Sequence, residues 1–299
     1  MNRELLAHLP IVVVVAERRG FAAAAQALGM SASAVSHAVR VVEDSLGEPL
    51  FARTTRSVAL TEAGQRFLAG VAPALADIGQ AVEHLSAARG EVSGVLKLNA
   101  SSVASKMALP ALFARLAVEH PRLTVEVHNN AALVDIVAEG FDAGIRLGEA
   151  VQQDMVTVRL TPPFKAIVVA SPDYLARRGV PASVAELATH NCIGFRLLTA
   201  GSLYDWELRE KAGETVTVRT TGSVVITDGT FARELALAGV GIGYIFEPLV
   251  REELRSGRLQ QLLPEAAFEE PGLFLYFPRR ASMAPKLRAF IDVARSLAA

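Results

Sequence analysis

The chain is poor in cysteine, in aromatic residues, in unbalanced charge and in long apolar runs, and each shortage excludes something. One cysteine, Cys192, among 299 residues rules out an internal disulfide framework and any cysteine-cluster zinc site. It reads as a small buried apolar side chain. Aromatics make up 6% of the chain, and its one tryptophan, Trp206 near Tyr204, reads as a packing group. Thirty Lys and Arg against 31 Asp and Glu leave a net charge of −1, so nothing coats nucleic acid or anionic lipid through bulk charge. The apolar run Ile11–Ala16 is six residues long and is stopped by Glu17-Arg18-Arg19, too short for a signal peptide or a membrane span. A soluble cytoplasmic protein is expected, with no membrane partner.

Chemistry is missing as well. There is no GxSxG elbow, no P-loop and no HExxH, and the six His, at 8, 37, 84, 120, 128 and 190, lack ligand spacing. Gly239-Val240-Gly241-Ile242-Gly243 is GxGxG running from helix into strand, the wrong order for a phosphate on a helix N-terminus. No catalytic residue, metal ligand or cofactor is assigned.

What is present is a chain 51% hydrophobic and 20% charged, able to bury large cores and long enough for two or three packed units. Three textures follow one another. Residues 1–60 are short helical pieces broken by Gly29 and Gly47. Residues 61–89 carry a regular apolar period, and from Gly90 strand-like and helical runs alternate.

Phe21–Leu28 is an Ala-rich helix former; Gly29 reads as its C-terminal cap and Ser31 as the N-cap of a second helix, Ala32–Leu46. Helix, short glycine turn, helix is the helix-turn-helix pattern. On the second helix Val35, Val39, Val42 and Leu46 form one apolar stripe, while Ser33, Ser36, His37 and Arg40 lie on the other side. That polar side is either a solvated face or a set of groups able to bond base edges and phosphates in a major groove. Leu50–Arg53 and Ser57–Leu60 read as two short strands flanking Thr54-Thr55-Arg56, a wing with Arg53 and Arg56 near its tip. Six Arg against five acidic residues in 1–60 give a net of only +1, so geometry matters there more than bulk attraction.

These residues carry a resemblance. Gly20-Phe21-Ala22-Ala23-Ala24-Ala25-Gln26-Ala27-Leu28, Ser31-Ala32-Ser33-Ala34-Val35-Ser36-His37, Glu43, Leu46-Gly47, Leu50-Phe51-Ala52-Arg53 and Leu60-Thr61-Glu62-Ala63-Gly64 resemble a LysR-type transcriptional regulator across the whole winged-helix region. The resemblance implies binding of double-stranded DNA by the helix bearing Ser33, Ser36 and His37, with the wing on the backbone. Two departures stand out: Ala32, where the family often has a Gln that reaches a base edge, and Gly20, where it usually has Ser.

Thr61 can cap a helix with Glu62 in its first turn. Leu68, Val71, Leu75, Ile78, Val82 and Leu85 then recur at spacings of three and four, a heptad seam over residues 61–89. The seam serves either packing on its own domain or, as the resemblance favours, a homodimer. Pro73 inside it predicts a bend. Two recognition helices related by a two-fold axis would read a pseudo-palindromic operator.

In the remainder, strands are expected at Val95–Asn99, Leu123–His128, Ala143–Leu147, Lys165–Ala170, Val224–Thr227, Gly243–Phe246 and Leu273–Phe277. Helices are expected from Ser101 to Glu119 and at Ala132–Glu139, Pro172–Arg178, Ser183–Ala188, Gly229–Ala238 and Pro285–Leu297. The alternation indicates α/β units with parallel sheets. The fold class is thus α/β with an N-terminal winged helix-turn-helix, a long linker helix and a two-lobed effector-binding domain. Phe141–Gly148, Ser171–Leu175 and Ala238–Gly243 resemble the family's solute-binding fold. The resemblance implies lobe I at 91–163 and 268–299, lobe II at 164–267, and crossings near Thr161–Pro163 and Phe268–Pro271. A ligand in such a cleft sits beyond strand ends against helix N-termini. Ser101, Ser102, Asn129, Arg146, Phe195, Thr227 and Asp228 are the candidates, favouring a small anionic effector. Their alternatives are structural, Ser102 and Asp228 as caps and Arg146 paired with Asp142. The resemblance further implies a dimer or tetramer and contact with RNA polymerase in an activator. A small-molecule-binding or enzymatic α/β protein with an accessory DNA-binding module is the rival reading.

Overall fold

The computed structural model describes residues 3–53, 58–87, 92–148, 155–210, 214–279, 281 and 284–298. The chain divides into two compact units, 1–85 and 86–299.

The first unit is built from helices Arg3–Arg18 (α1), Phe21–Leu28 (α2) and Ala32–Leu46 (α3), strands Phe51–Arg53 (β1) and Val58–Leu60 (β2), and helix Glu62–Ala87 (α4). Local signals set its corners. Gly29 (φ 63°) and Gly47 (φ 71°) end α2 and α3 in the left-handed conformation. The Ser31 hydroxyl accepts the Ala34 amide at 3.2 Å. Gly20, with no side chain to offer, starts α2 without such a bond. Val35, Val39 and Val42 are buried with Leu9, Val12, Val15, Leu50 and Phe51 in one core. β1 and β2 pair antiparallel, Phe51 opposite Leu60. Thr61 caps α4, its hydroxyl accepting the Gly64 amide at 2.9 Å.

The seam expected for pairing is divided. Leu68 is buried in this same core, and Val71 and Leu75 pack against it, whereas Ile78 is 63% exposed. The first turns of α4 therefore close their own domain, and the helix continues unbroken through Pro73. The side chains of Val82 and Leu85 lie outside the described residues.

The second unit runs in chain order Gly94–Ala100 (β3), Ser102–Glu119 (α5), Leu123–Asn129 (β4), Ala143–Leu147 (β5), Met155–Arg159 (β6), Phe164–Ala170 (β7), Pro172–Arg178 (α6), Gly194–Phe195 (β8), Trp206–Arg209 (β9), Thr215–Val218 (β10), Val225–Ile226 (β11), Phe231–Leu237 (α7), Gly243–Phe246 (β12), Arg251–Arg255 (α8), Gln260–Leu262 (β13), Phe268–Glu270 (β14), Leu273–Pro278 (β15) and Pro285–Ala298 (α9). One lobe is a five-stranded sheet in the order β4-β3-β5-β15-β6. The other is centred on β7, which pairs with β12, β13 and β14, while β8 and β11 pair with each other and a bridge from Cys192 to Ile242 ties them to β12.

Four expectations are corrected. The sheets are not all-parallel: the five-stranded sheet is mixed, with β3, β4 and β5 parallel and β15 antiparallel to both neighbours, and every pairing of β7 is antiparallel. A strand that crosses between lobes returns in the opposite sense. Phe268–Glu270 pairs with Phe164–Ala166 of β7, so the return to the first sheet begins at Leu273 rather than at Phe268. Ala132–Glu139 is not helical. Asn130 Oδ1 takes the Ala132 amide (3.0 Å) and Asp135 Oδ1 those of Val137 and Ala138 (3.0 and 3.1 Å), offering this backbone local partners in place of a helical ladder. The segment expected as helix at Ser183–Ala188 is a 3-10 turn, Ala185–Thr189.

Candidate functional site

Two surfaces carry chemistry, one in each unit. On α3 the packed side is Val35, Ala38, Val39 and Val42. Ser31, Ala32, Ser33, His37 and Arg40 are exposed on the other side and Ser36 is half-buried. The Ser31 and Ser33 hydroxyls lie 3.0 Å apart, so the start of the helix presents a paired hydroxyl donor and acceptor. Below the helix, Glu43 Oε1 accepts the amides of Leu50 (2.8 Å) and Phe51 (3.2 Å), fixing the wing's first strand to α3. Arg53 ends β1; its side chain, together with Thr54, Thr55 and Arg56, lies outside the described residues.

In the second unit a cavity of about 470 Å³ lies between the lobes. Ser101, Ser102, Asn129 and Arg146 reach it from one lobe, and Phe195, Thr227 and Asp228 from the other, so all seven sequence candidates line one space. Ser101 also caps α5 through the Ala104 amide (3.1 Å). The Ser102 hydroxyl and the Asp228 carboxylate face the same cavity from opposite lobes. Burial opposes ionisation of Asp228, but hydrogen bonds from the Thr230 amide and hydroxyl (2.9 Å each), with the Ser102 hydroxyl and Lys106 nearby, hold it below the usual carboxylate range. The loops also meet: the Leu133 amide donates to Thr199 Oγ1 at 2.7 Å.

Arg146 is the unusual member. Only 9% exposed, it donates to the carbonyls of Ile145 (2.8 Å), Ala132 (2.8 Å) and Asn130 (3.3 Å) and to Asn99 Oδ1, while its Nε is buried without a partner. Burial pulls its pKa below the ordinary arginine range, partly opposed by Tyr276. It does not pair with Asp142: that carboxylate binds Lys286 Nζ (2.9 Å) and the Lys97 amide (2.8 Å). A guanidinium is thus held in the cavity wall by neutral oxygens only, its charge uncancelled by any carboxylate among the described residues.

The comparisons with known proteins agree with this architecture. Residues 6–65 match the bacterial regulatory helix-turn-helix proteins of the lysR family, and residues 89–299 the LysR substrate binding domain. The chain belongs to the LysR family of transcriptional regulators. It is 37% identical over 282 residues to the HTH-type transcriptional regulator YcaN of Escherichia coli K12, covering 94% of this chain and 92% of that one. With PgrR of the same organism it shares 36% over 292 residues, 98% and 97% of the two chains. The structure of CrgA, a LysR-type regulator from Neisseria meningitidis, superposes with a TM-score of 0.61 at 27% identity over 97% of this chain and 98% of that one. LysR regulators bind DNA and small-molecule effectors and are oligomeric; they are regulators rather than enzymes. No described helix of this LysR regulator is long and apolar enough to cross a membrane.

Sequence reasoning missed part of the cavity. Asn130, Tyr204, Trp206, Tyr244 and Glu270 also line it. Trp206 does pack, 1% exposed and stacked on Tyr244 with ring centroids 5.4 Å apart, and it faces the cavity as well. Glu270 falls in the segment Phe268–Pro271, expected only as a crossing between lobes; strand alternation on β14 separates the exposed Glu269 from the buried Glu270. Asn130 is the one of these with a signal beforehand, since it follows a predicted strand end.

Proposed function

We propose that this LysR regulator reads a pseudo-palindromic operator with α3 and responds to a small organic anion bound in the cavity. Ser31, Ser33, Ser36, His37 and Arg40 contact base edges and phosphates, Ala32 contributes only a methyl, and Arg53 with Thr54, Thr55 and Arg56 holds the backbone. Residues 1–60 form the DNA-binding domain, 61–89 the linker and dimerisation helix, and 90–299 the effector-binding domain. The working form is a homodimer or homotetramer in the cytoplasm, and an activating state contacts RNA polymerase.

The observation that carries the effector reading is the uncancelled guanidinium of Arg146 beside the Ser101 and Ser102 hydroxyls. A carboxylate there supplies the counter-charge that the buried guanidinium lacks and accepts hydrogen bonds from the hydroxyls. Thermal-shift titration of the full chain with butyrate tests it. The melting temperature rises with butyrate in the wild type, as for any ligand of the folded state, and does not move in Arg146→Gln. A shift of equal size in both proteins overturns the anion site. For DNA, a gel-shift titration on the chain's own upstream region compares the wild type with Ser36→Ala/His37→Ala. Equal affinity would remove these residues from the recognition face.

A further inference from the structure

The cavity has a second polar group that an anionic effector leaves unused. Glu270 on β14 is 5% exposed, lines the cavity, and has no hydrogen-bond or ion-pair partner among the described residues. Its surroundings differ from those of Arg146. The aromatic rings of Tyr204, Trp206 and Tyr244 line the same space, Trp206 stacked on Tyr244 and Tyr204 6.2 Å from Tyr244 between centroids. Both phenol protons are engaged: Tyr204 donates to Glu207 Oε2 (2.9 Å) and Tyr244 to the Glu207 carbonyl (2.8 Å). What these rings offer a ligand is therefore their electron-rich faces and oxygen lone pairs.

A carboxylate without a cation, a second carboxylate close by and three aromatic faces together form a receptor for positive charge. We propose that the Glu270 end of the cavity binds an organic ammonium group, so that the effector carries an amine as well as the anion taken by Arg146. This rests on reading the cavity as the effector site and narrows the effector to an amino-carboxylate class.

The electrostatics agree. Burial, and then the charge of Glu207, push the Glu270 carboxyl up to about 7. The groups on the elements packed around it are Glu207 of β9, the phenols Tyr204 and Tyr244, Lys165 of β7, which stands opposite Glu269 rather than Glu270, and Arg159 of β6, whose guanidinium is engaged with the Pro271 carbonyl and the Phe274 ring. None supplies a compensating cation to Glu270, and an ammonium guest would. Binding then favours the ionised carboxylate, releases the proton that the empty site holds near neutrality, and weakens as the pH falls.

Trp206 is the chain's only tryptophan, so its fluorescence reports this part of the cavity alone. The experiment titrates the full-length protein with n-butylammonium at about pH 8. A saturable change in Trp206 emission is expected, with affinity reduced at least tenfold in Glu270→Gln and retained in Arg146→Gln. In the wild type the affinity falls about tenfold between pH 8 and pH 6, because protonation competes with the guest. No saturable response, an equal response in Glu270→Gln, or an affinity independent of pH overturns the proposal. If Glu270→Gln fails to fold by circular dichroism, the wild-type pH series decides. Butyrate in the thermal-shift assay separates the two readings. Butyrate binding without butylammonium binding sinks the ammonium site alone; butylammonium binding without butyrate binding sinks the anion site alone.

Discussion

Glu43 holds Leu50: the carboxylate near the C-terminal end of α3 accepts the Leu50 amide at 2.8 Å and the neighbouring Phe51 amide at 3.2 Å. Leu50 is buried in the core of the first unit, and its carbonyl accepts the Thr61 amide at 2.9 Å as the chain turns into α4. One side chain thus sets the angle between the recognition helix and the strand that leads to the wing. Removing it strands two amides in a part-buried place, at about 1–3 kcal/mol. Glu43→Ala is expected to lower the melting temperature of the DNA-binding unit and to weaken operator binding although Glu43 meets no base. Unchanged melting and unchanged gel-shift affinity would show that the wing is positioned by other contacts.

The same contact shows what was legible beforehand. Ser31, Gly29, Gly47 and Thr61 act on the backbone within four residues of themselves, and their roles could be read from spacing. The apolar stripe of α3 was equally open to reading, because its period alone separates a packed side from an exposed one. The segment 132–139 was not. Its residues suit a helix, but the carbonyls of Asn130 and Ala132 face Arg146, and that demand comes from another strand of the sheet. Glu270 was hidden for a similar reason: its place in the cavity depends on β14 pairing with a strand about a hundred residues earlier. Leu68 falls in the heptad seam, and a heptad pattern does not say whether the facing helix belongs to the same chain.

That ambiguity makes a prediction about assembly. Ile78 is 63% exposed on α4, whereas Leu68 is 7% exposed in the domain core. An apolar side chain left in water on a helix of an oligomeric family is covered by a partner or by nothing. Ile78→Asp is expected to shift sedimentation toward the monomer while leaving the melting of the DNA-binding unit within about 0.5 kcal/mol of wild type. Leu68→Asp, burying a charge, is expected to unfold that unit. An unchanged sedimentation profile for Ile78→Asp would place the pairing surface elsewhere.

Two buried carboxyls give stability opposite dependences on pH. Glu253 lies between Arg233 and Arg258, the latter at 2.8 Å, and hydrogen bonding from Arg233, against the opposing cost of burial, holds it below the usual range. Its stabilisation is present above the unfolded value of about 4.3 and is lost as the pH falls through the lower folded value. Glu270 has the reverse sign, since its folded value is raised to about 7. The folded state keeps a proton that the unfolded chain loses, so stability declines as the pH rises from about 4.3 to about 7 and stays lower above that. Glu270→Gln is expected to melt a few degrees above wild type at about pH 8 and to lose that advantage at about pH 4. Glu253→Gln is expected to melt below wild type at about pH 8, the difference closing in acid. Parallel thermal melts across pH check both, and a Glu270→Gln advantage that does not vary with pH would contradict the titration.

Gly64 and Gly70 lie six residues apart on α4 and should respond to alanine in opposite ways. A Cβ on Gly64 would overlap the Leu50 carbonyl oxygen, which is already committed to Thr61; a Cβ on Gly70 would meet nothing within 4 Å. The first turn of α4 rests directly on the strand that Glu43 anchors, and only a residue without a side chain permits that approach. Gly64→Ala must push α4 away from the wing and is expected to cost about 2 kcal/mol or more, with loss of operator binding. Gly70→Ala keeps the contact and removes the glycine's backbone freedom in the unfolded chain, so it is expected to stabilise by about 0.5–1 kcal/mol with operator affinity intact. Denaturant melts of the two variants, read with gel shifts, separate helix propensity from this packing requirement. A tolerated Gly64→Ala would mean that α4 and the wing can move apart without consequence for DNA binding.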